Sequence, residues 1–408
     1  MFLLNKKEKS TFKLLILSSF FLGFFISFTN TQDIIAKKAL GALDWQLTIL
    51  AMIWPVSNFT SIWWGKILEN SKNKSLYFLI VGFFGRLILV SGLWIINMNQ
   101  YLILIGVVLS FNALFIPAQN SIYQTNIRKQ NRGTLYGIAM SVATLIGMIL
   151  SYFYGKILDY NDNFFKYILL FVGITGFISS FLLYLIKTPE NSSAKKNKLT
   201  IYTIFLEPIK RTFEIFKKNK EFLHFERSFI IYGMGFIMMI PAIPIFFVEE
   251  LHLTYTKSFI AKAIIAQLGL LFLSPFMGKL LDNKHPNYFN TKIFSFLSLY
   301  PAFLLLSSIF NNNLLKIGFV YFAYLLFGIA MAGVNVSWNM GSIFFAGNED
   351  SSMYQSIHVT LTGVRGIFAP LLSLLIKRIF NVYAVFIAAI IFFLLAALSS
   401  WFSYKENI

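Results

Sequence analysis

Cysteine is absent from all 408 residues, which excludes disulfides, thiolate metal centres and cysteine nucleophiles. Charge is nearly as scarce. Only 13% of the residues are charged, about half of what a soluble globular chain carries. A chain of this length with so little charge cannot coat itself in water, so lipid must be part of its solvent. Acids are rarest, 17 against 35 Lys and Arg. The four histidines, at 224, 252, 285 and 358, show no zinc-ligand spacing such as His-Glu-x-x-His. No phosphate-cradling glycine loop is present, and the long loops of a membrane enzyme are missing. Neither an enzyme activity nor a bound cofactor is expected.

What is abundant is apolar sequence, 57% of the chain. A hydrocarbon core takes roughly 20 residues of helix to cross. Twelve segments qualify: 12–33, 46–68, 75–96, 101–123, 133–156 and 165–187, then 227–249, 258–281, 289–310, 314–344, 354–376 and 380–403. They are too long, and too poor in polar alternation, for barrel strands. The expected fold class is an all-α polytopic membrane protein with twelve transmembrane helices in two six-helix halves. Residues 1–187 make the first bundle, 188–226 a basic linker and 227–408 the second bundle. The lysines ahead of Leu14 imitate the start of a signal peptide. The run behind them is too long and lacks a cleavage site, so it reads as a retained helix. Within the linker, Ile201 to Phe222 spaces apolar residues among basic ones. Such a helix lies on an anionic membrane face or simply tethers the halves.

Lys and Arg on alternate sides set the orientation. With the N-terminus in the cytoplasm, that side carries 24 and the other nine, while Arg86 and Arg365 fall inside helices. Without the linker's ten the bias is still 14 to nine. Both termini are expected to be cytoplasmic, in a multi-pass protein of the cell (inner) membrane. This distribution accounts for the net charge of +18 without nucleic acid, since no aromatic stacking platform accompanies it.

One short pattern recurs. Gly65-Lys66-Ile67-Leu68-Glu69 runs on to Lys72 and Lys74, and Gly278-Lys279-Leu280-Leu281-Asp282 runs on to Lys284, 213 residues later. With the six-plus-six layout, these stretches resemble the major facilitator superfamily. Its members carry a Gly-x-x-x-Asp-Arg/Lys-x-Gly-Arg/Lys-Arg/Lys loop after the second helix. Here Glu replaces Asp and the second glycine is lost. The resemblance assigns Gly65, Glu69, Lys72, Gly278, Asp282 and Lys284 to gating, with the glycines allowing close helix approach. A third copy, Gly155-Lys156-Ile157-Leu158-Asp159, falls on the outer side and reads as chance. The family's drug–proton antiporters also carry a Gly-Pro signature in the fifth helix. Gly147 and Gly155 fit its spacing, but Ser151 and Tyr152 break it.

Charged groups at membrane depth are costly and usually face protein or a watery cavity. Tyr354, His358, Thr362 and Arg365 share one helical face. Arg365 either attracts an anionic substrate, tunes a carboxylate, or locks helices in an ion pair. His358 either carries protons or is a solvated residue near the cytoplasmic end. Arg86 reads as structural, paired between helices. Asp33 is the acid best placed to carry a coupling proton, unless it is an ordinary helix-end carboxylate near Lys37 and Lys38. Glu226 with Arg227 reads as a cytoplasmic helix entrance. The resemblance puts the first, fourth, seventh and tenth helices around the cavity. Asn30, Asn112, Gln119, Asn335, Trp338 and Asn339 then become substrate-site candidates beside Arg365.

The expected function is secondary active transport of a small organic solute by alternating access, driven by H⁺, with efflux of amphipathic compounds placed first. Uptake of an anionic metabolite through Arg365 is the alternative. A non-transporting receptor and a membrane enzyme stand further back. The expected partners are the solute, protons and the lipid bilayer, with the chain a monomer.

Overall fold

The computed structural model describes residues 4–69, 71, 73–187, 207–347 and 351–406. Every element among them is helical. In chain order they are α1 (Lys6–Ala39), α2 (Asp44–Glu69), α3 (Leu76–Phe84), α4 (Met98–Asn112), α5 (Phe115–Asn126), α6 (Lys129–Tyr160) and α7 (Phe165–Tyr184). There follow α8 (Glu207–Lys218), α9 (Lys220–Ile245), α10 (Tyr255–Phe259), α11 (Ala266–Asp282) and α12 (Pro286–Leu297). The last four are α13 (Leu299–Ser307), α14 (Asn313–Ala346), α15 (Ser351–Ile379) and α16 (Val382–Lys405). Asparagine starts many of them. The side chains of Asn5, Asn97, Asn219, Asn312 and Asn381 each accept a backbone N–H of the first turn, satisfying donors that a helix start leaves open.

Ten helical spans in the described residues are long and apolar enough to cross a bilayer. Two of the twelve expected crossings fall short of that standard. α2 has the length, at 26 residues, but Pro55, Ser57, Asn58 and Thr60 dilute its hydropathy. α4 stops after 15 residues, and α5 begins beyond Ala113 and Leu114. The first crossing is longer than expected, Lys6–Ala39 rather than 12–33. The expected continuous helix 75–96 is broken: α3 ends at Phe84, and Leu87–Trp94 is a tighter 3-10 helix. The break is at Arg86, whose φ of −136° and ψ of −68° leave the helical region.

The chain forms two compact units. The first comprises Met1–Gln46, Thr60–Lys198 and Thr254–Phe259; the second comprises Leu47–Phe59, Leu199–Leu253 and Ile260–Ile408. In the first unit α1 lies between α6 and α7, and small residues set the spacing. Gly147 faces the carbonyl of Gly23, Ser27 pairs with Ser151 at 2.8 Å and Ser18 with Ser179 at 2.9 Å. Ser151 therefore fills the broken Gly-Pro signature with an interhelix hydrogen bond. In the second unit α9 lies between α15 and α16, and α11 meets α14 where Gly269 touches Gly328.

Candidate functional site

In the second unit, the polar face of α15 is formed as its spacing dictates. Tyr354, His358, Thr362 and Arg365 are all buried. The Thr362 hydroxyl donates to the His358 carbonyl at 3.0 Å, and Arg365 Nη2 donates to Thr362 Oγ1 at 2.8 Å. Arg365 Nη1 donates to the Phe229 carbonyl of α9. Its guanidinium carbon stands 5.9 Å from the ring centre of Tyr232.

The residue that completes the cluster is one the sequence placed elsewhere. Glu226, expected to mark the cytoplasmic entrance of its helix, is 1% exposed. His358, for which a solvated position was weighed against proton carriage, is also 1% exposed. The His358 Nδ1 atom stands 2.8 and 2.9 Å from the two Glu226 carboxylate oxygens. Phe229 packs on the imidazole at a centroid distance of 4.9 Å and Trp338 at 5.1 Å, so aromatic rings keep the pair dry. His358 Nε2 and Arg365 Nε are buried without a hydrogen-bond partner among the described residues. The signal for Glu226 was present in the spacing. Glu226, Phe229 and Gly233 recur at three and four residues and form the α9 face that meets α15.

The other candidates are scattered. Trp338 belongs to the cluster, whereas Asn335 and Asn339 are exposed on α14 and bond to each other, Nδ2 to Oδ1 at 3.0 Å. Asn30 and Asp33 are half-buried toward the end of α1, where Asp33 accepts the N–H of Ile34 at 3.0 Å. Gln119 is buried on α5. The Asn112 amide oxygen accepts from Arg86 Nη2 at 2.6 Å. Arg86 is 1% exposed, lies 3.4 Å from the ring centre of Phe25, and crosses Gly176. The interhelix partner expected for Arg86 is thus an amide and an aromatic face rather than an acid.

The gating candidates divide. Lys72 and the side chains around Gly65 and Glu69 lie outside the described residues. Asp282 and Lys284 are exposed at the end of α11. Among the described residues nothing lies within 4 Å of a β-carbon built on Gly278. Of the two copies whose surroundings are described, the one read as chance makes the close contacts. A β-carbon on Gly155 would meet Thr256 Cα at 2.7 Å. The Asp159 carboxylate accepts the N–H groups of Tyr255 at 2.6 Å and Thr256 at 3.1 Å, capping the start of α10.

This architecture, with a buried Glu–His–Arg cluster between membrane-length helices, is that of a polytopic α-helical membrane protein. The Major Facilitator Superfamily family model matches residues 14–361, and the chain belongs to that superfamily. It is a multi-pass membrane transporter and not an enzyme. A Staphylococcus epidermidis protein described as the proton-coupled antiporter flippase LtaA is 20% identical over 357 residues, 84% of each chain. The crystal structure of the nucleoside transporter NupG superposes with a TM-score of 0.72 at 11% identity, covering 97% of this chain and 99% of that one. That of a D-xylose–proton symporter gives 0.66 at 14% identity, with 96% and 97% covered. Likeness at these identities establishes the fold.

Proposed function

We propose that this protein is a proton-coupled secondary transporter of a small amphipathic solute, in which Glu226 and His358 hold the coupling proton and Arg365 senses the solute's charge. The observation that carries this is the buried Glu226–His358 contact, with Arg365 two helical turns further along α15. A carboxylate, a neutral imidazole and a guanidinium sum to zero. Adding one proton leaves a net charge of +1 away from water. Two unit charges 4 Å apart interact by about 4 kcal/mol at an effective dielectric near 20, so the loaded and empty clusters differ strongly toward a charged solute. A cationic amphipath competes with the proton, which is antiport. An anion is held with it, which is symport. By linkage, the solute shifts proton affinity by the same factor that the proton shifts solute affinity.

The relative described as a proton-coupled antiporter supports the antiport branch, with efflux as its direction. The unpartnered Arg365 Nε favours anion uptake as the second reading. In both, the termini face the cytoplasm of a cell-membrane monomer, and 188–226 links two six-helix halves. The test uses proteoliposomes with an interior pH dye. Lipophilic cations and organic anions are added in turn, without a pre-set gradient. Proton movement opposite to a cation supports antiport, and movement with an anion supports symport. Solute flux that leaves the interior pH unchanged would sink proton coupling.

A further inference from the structure

At the end of the first unit expected to face the cytoplasm, the start of α1 and the ends of α5 and α7 line an open cavity of about 540 Å³. Its rim is cationic, with Lys6, Lys7 and Lys187 all exposed. No carboxylate lines it among the described residues. The acid nearest in sequence, Glu8, is committed elsewhere. It is buried and accepts from Arg128 Nη2 at 2.8 Å and Asn131 Nδ2 at 3.3 Å. That bond holds the Arg128 guanidinium above its already high range. Lys7 Nζ donates to the Thr125 carbonyl at 3.2 Å. Lys6 and Lys187 have no acid partner among the described residues.

The cavity is also ordered. Buried Asn126 donates to Thr11 Oγ1 at 3.1 Å and to the Lys187 carbonyl at 3.0 Å, fixing the end of α7 against α1. Leu14 and Leu185 make one wall apolar. A cationic rim without acids among the described residues calls for an anion, and an apolar wall calls for hydrocarbon. An amphiphile with an anionic head meets both demands. Helix ends lie at headgroup depth, and each lysine near an anionic leaflet favours binding about fivefold.

We propose that this cavity binds the headgroup of an anionic phospholipid, with its phosphodiester between Lys6 and Lys187 and the start of an acyl chain along Leu14 and Leu185. The site is separate from the Glu226–His358–Arg365 cluster and does not rest on the transport reading.

The full chain, purified in mild detergent, is titrated with phosphatidylglycerol or phosphatidylcholine of matched chains while its Tm is read. A ligand that binds the folded state raises Tm with concentration. Phosphatidylglycerol is expected to raise Tm more. The Lys6→Gln/Lys187→Gln variant should need about tenfold or more phosphatidylglycerol for the same shift. A charge-matched control, Lys156→Gln/Lys316→Gln, should respond like the wild type. Equal shifts from the two lipids, or an equal loss in the control, would overturn the proposal. So would a full shift from soluble glycerol phosphate, which would make the cavity a free-phosphate site.

Discussion

The Arg365 side chain passes directly over Gly233. A β-carbon built on that glycine would overlap Cδ, Nε and Cζ of the arginine. The glycine of α9 therefore admits a buried cation from α15. Gly176 does the same for Arg86 in the first unit, where an added β-carbon would stand 2.7 Å from Arg86 Cδ.

Gly233→Ala should displace Arg365 from the Phe229 carbonyl and from Thr362. Overpacking of this kind costs about 1–3 kcal/mol. The variant is expected to melt a few degrees lower and to lose solute-dependent proton movement, while Gly235→Ala, against Phe392, should only lower Tm. Proton movement at the wild-type rate in Gly233→Ala would show that Arg365 has no part in coupling.

Glu226→Gln keeps the shape of the side chain but removes the negative charge beside His358 and Arg365. Weakening a hydrogen bond between a buried imidazole and a charged acceptor costs about 1–3 kcal/mol. Transport driven by a pH gradient should fall at least tenfold, and solute exchange without a gradient should survive better. A variant in which both fluxes fall in parallel would make Glu226 a structural residue.

Asp159→Ala removes both acceptors at the start of α10. Losing a helix cap costs about 1 kcal/mol. The amides of Tyr255 and Thr256 should then exchange with deuterium faster, with little change in the α9 amides around Gly233. Unchanged protection at Tyr255 would mean the carboxylate does not hold that turn.

Gly155→Ala and Gly278→Ala test two copies of one motif with opposite expectations. The first forces the Thr256 backbone to move and should lower Tm clearly. The second meets nothing within 4 Å among the described residues and should change stability by no more than about 0.5 kcal/mol. Equal effects would remove the distinction between the copies.

Composition and spacing alone determined that this chain lives in lipid, that its helices lie roughly where they do, and that Tyr354, His358, Thr362 and Arg365 share a face. These are local properties: burial in hydrocarbon reads as run length, and helical periodicity carries residues three and four apart to one side. What faces that side is not local. Helix rotation and depth, set by close contacts such as Gly233 against Arg365 and Gly269 against Gly328, decided that Glu226 meets His358 132 residues away. The same packing gave Asn112 to Arg86 and turned a dismissed Gly-Lys-x-Leu-Asp copy into the cap on α10. The break at Arg86 escaped the pattern because an apolar run looks the same whether its helix continues or is interrupted, and only the arginine's need for buried partners separates the two.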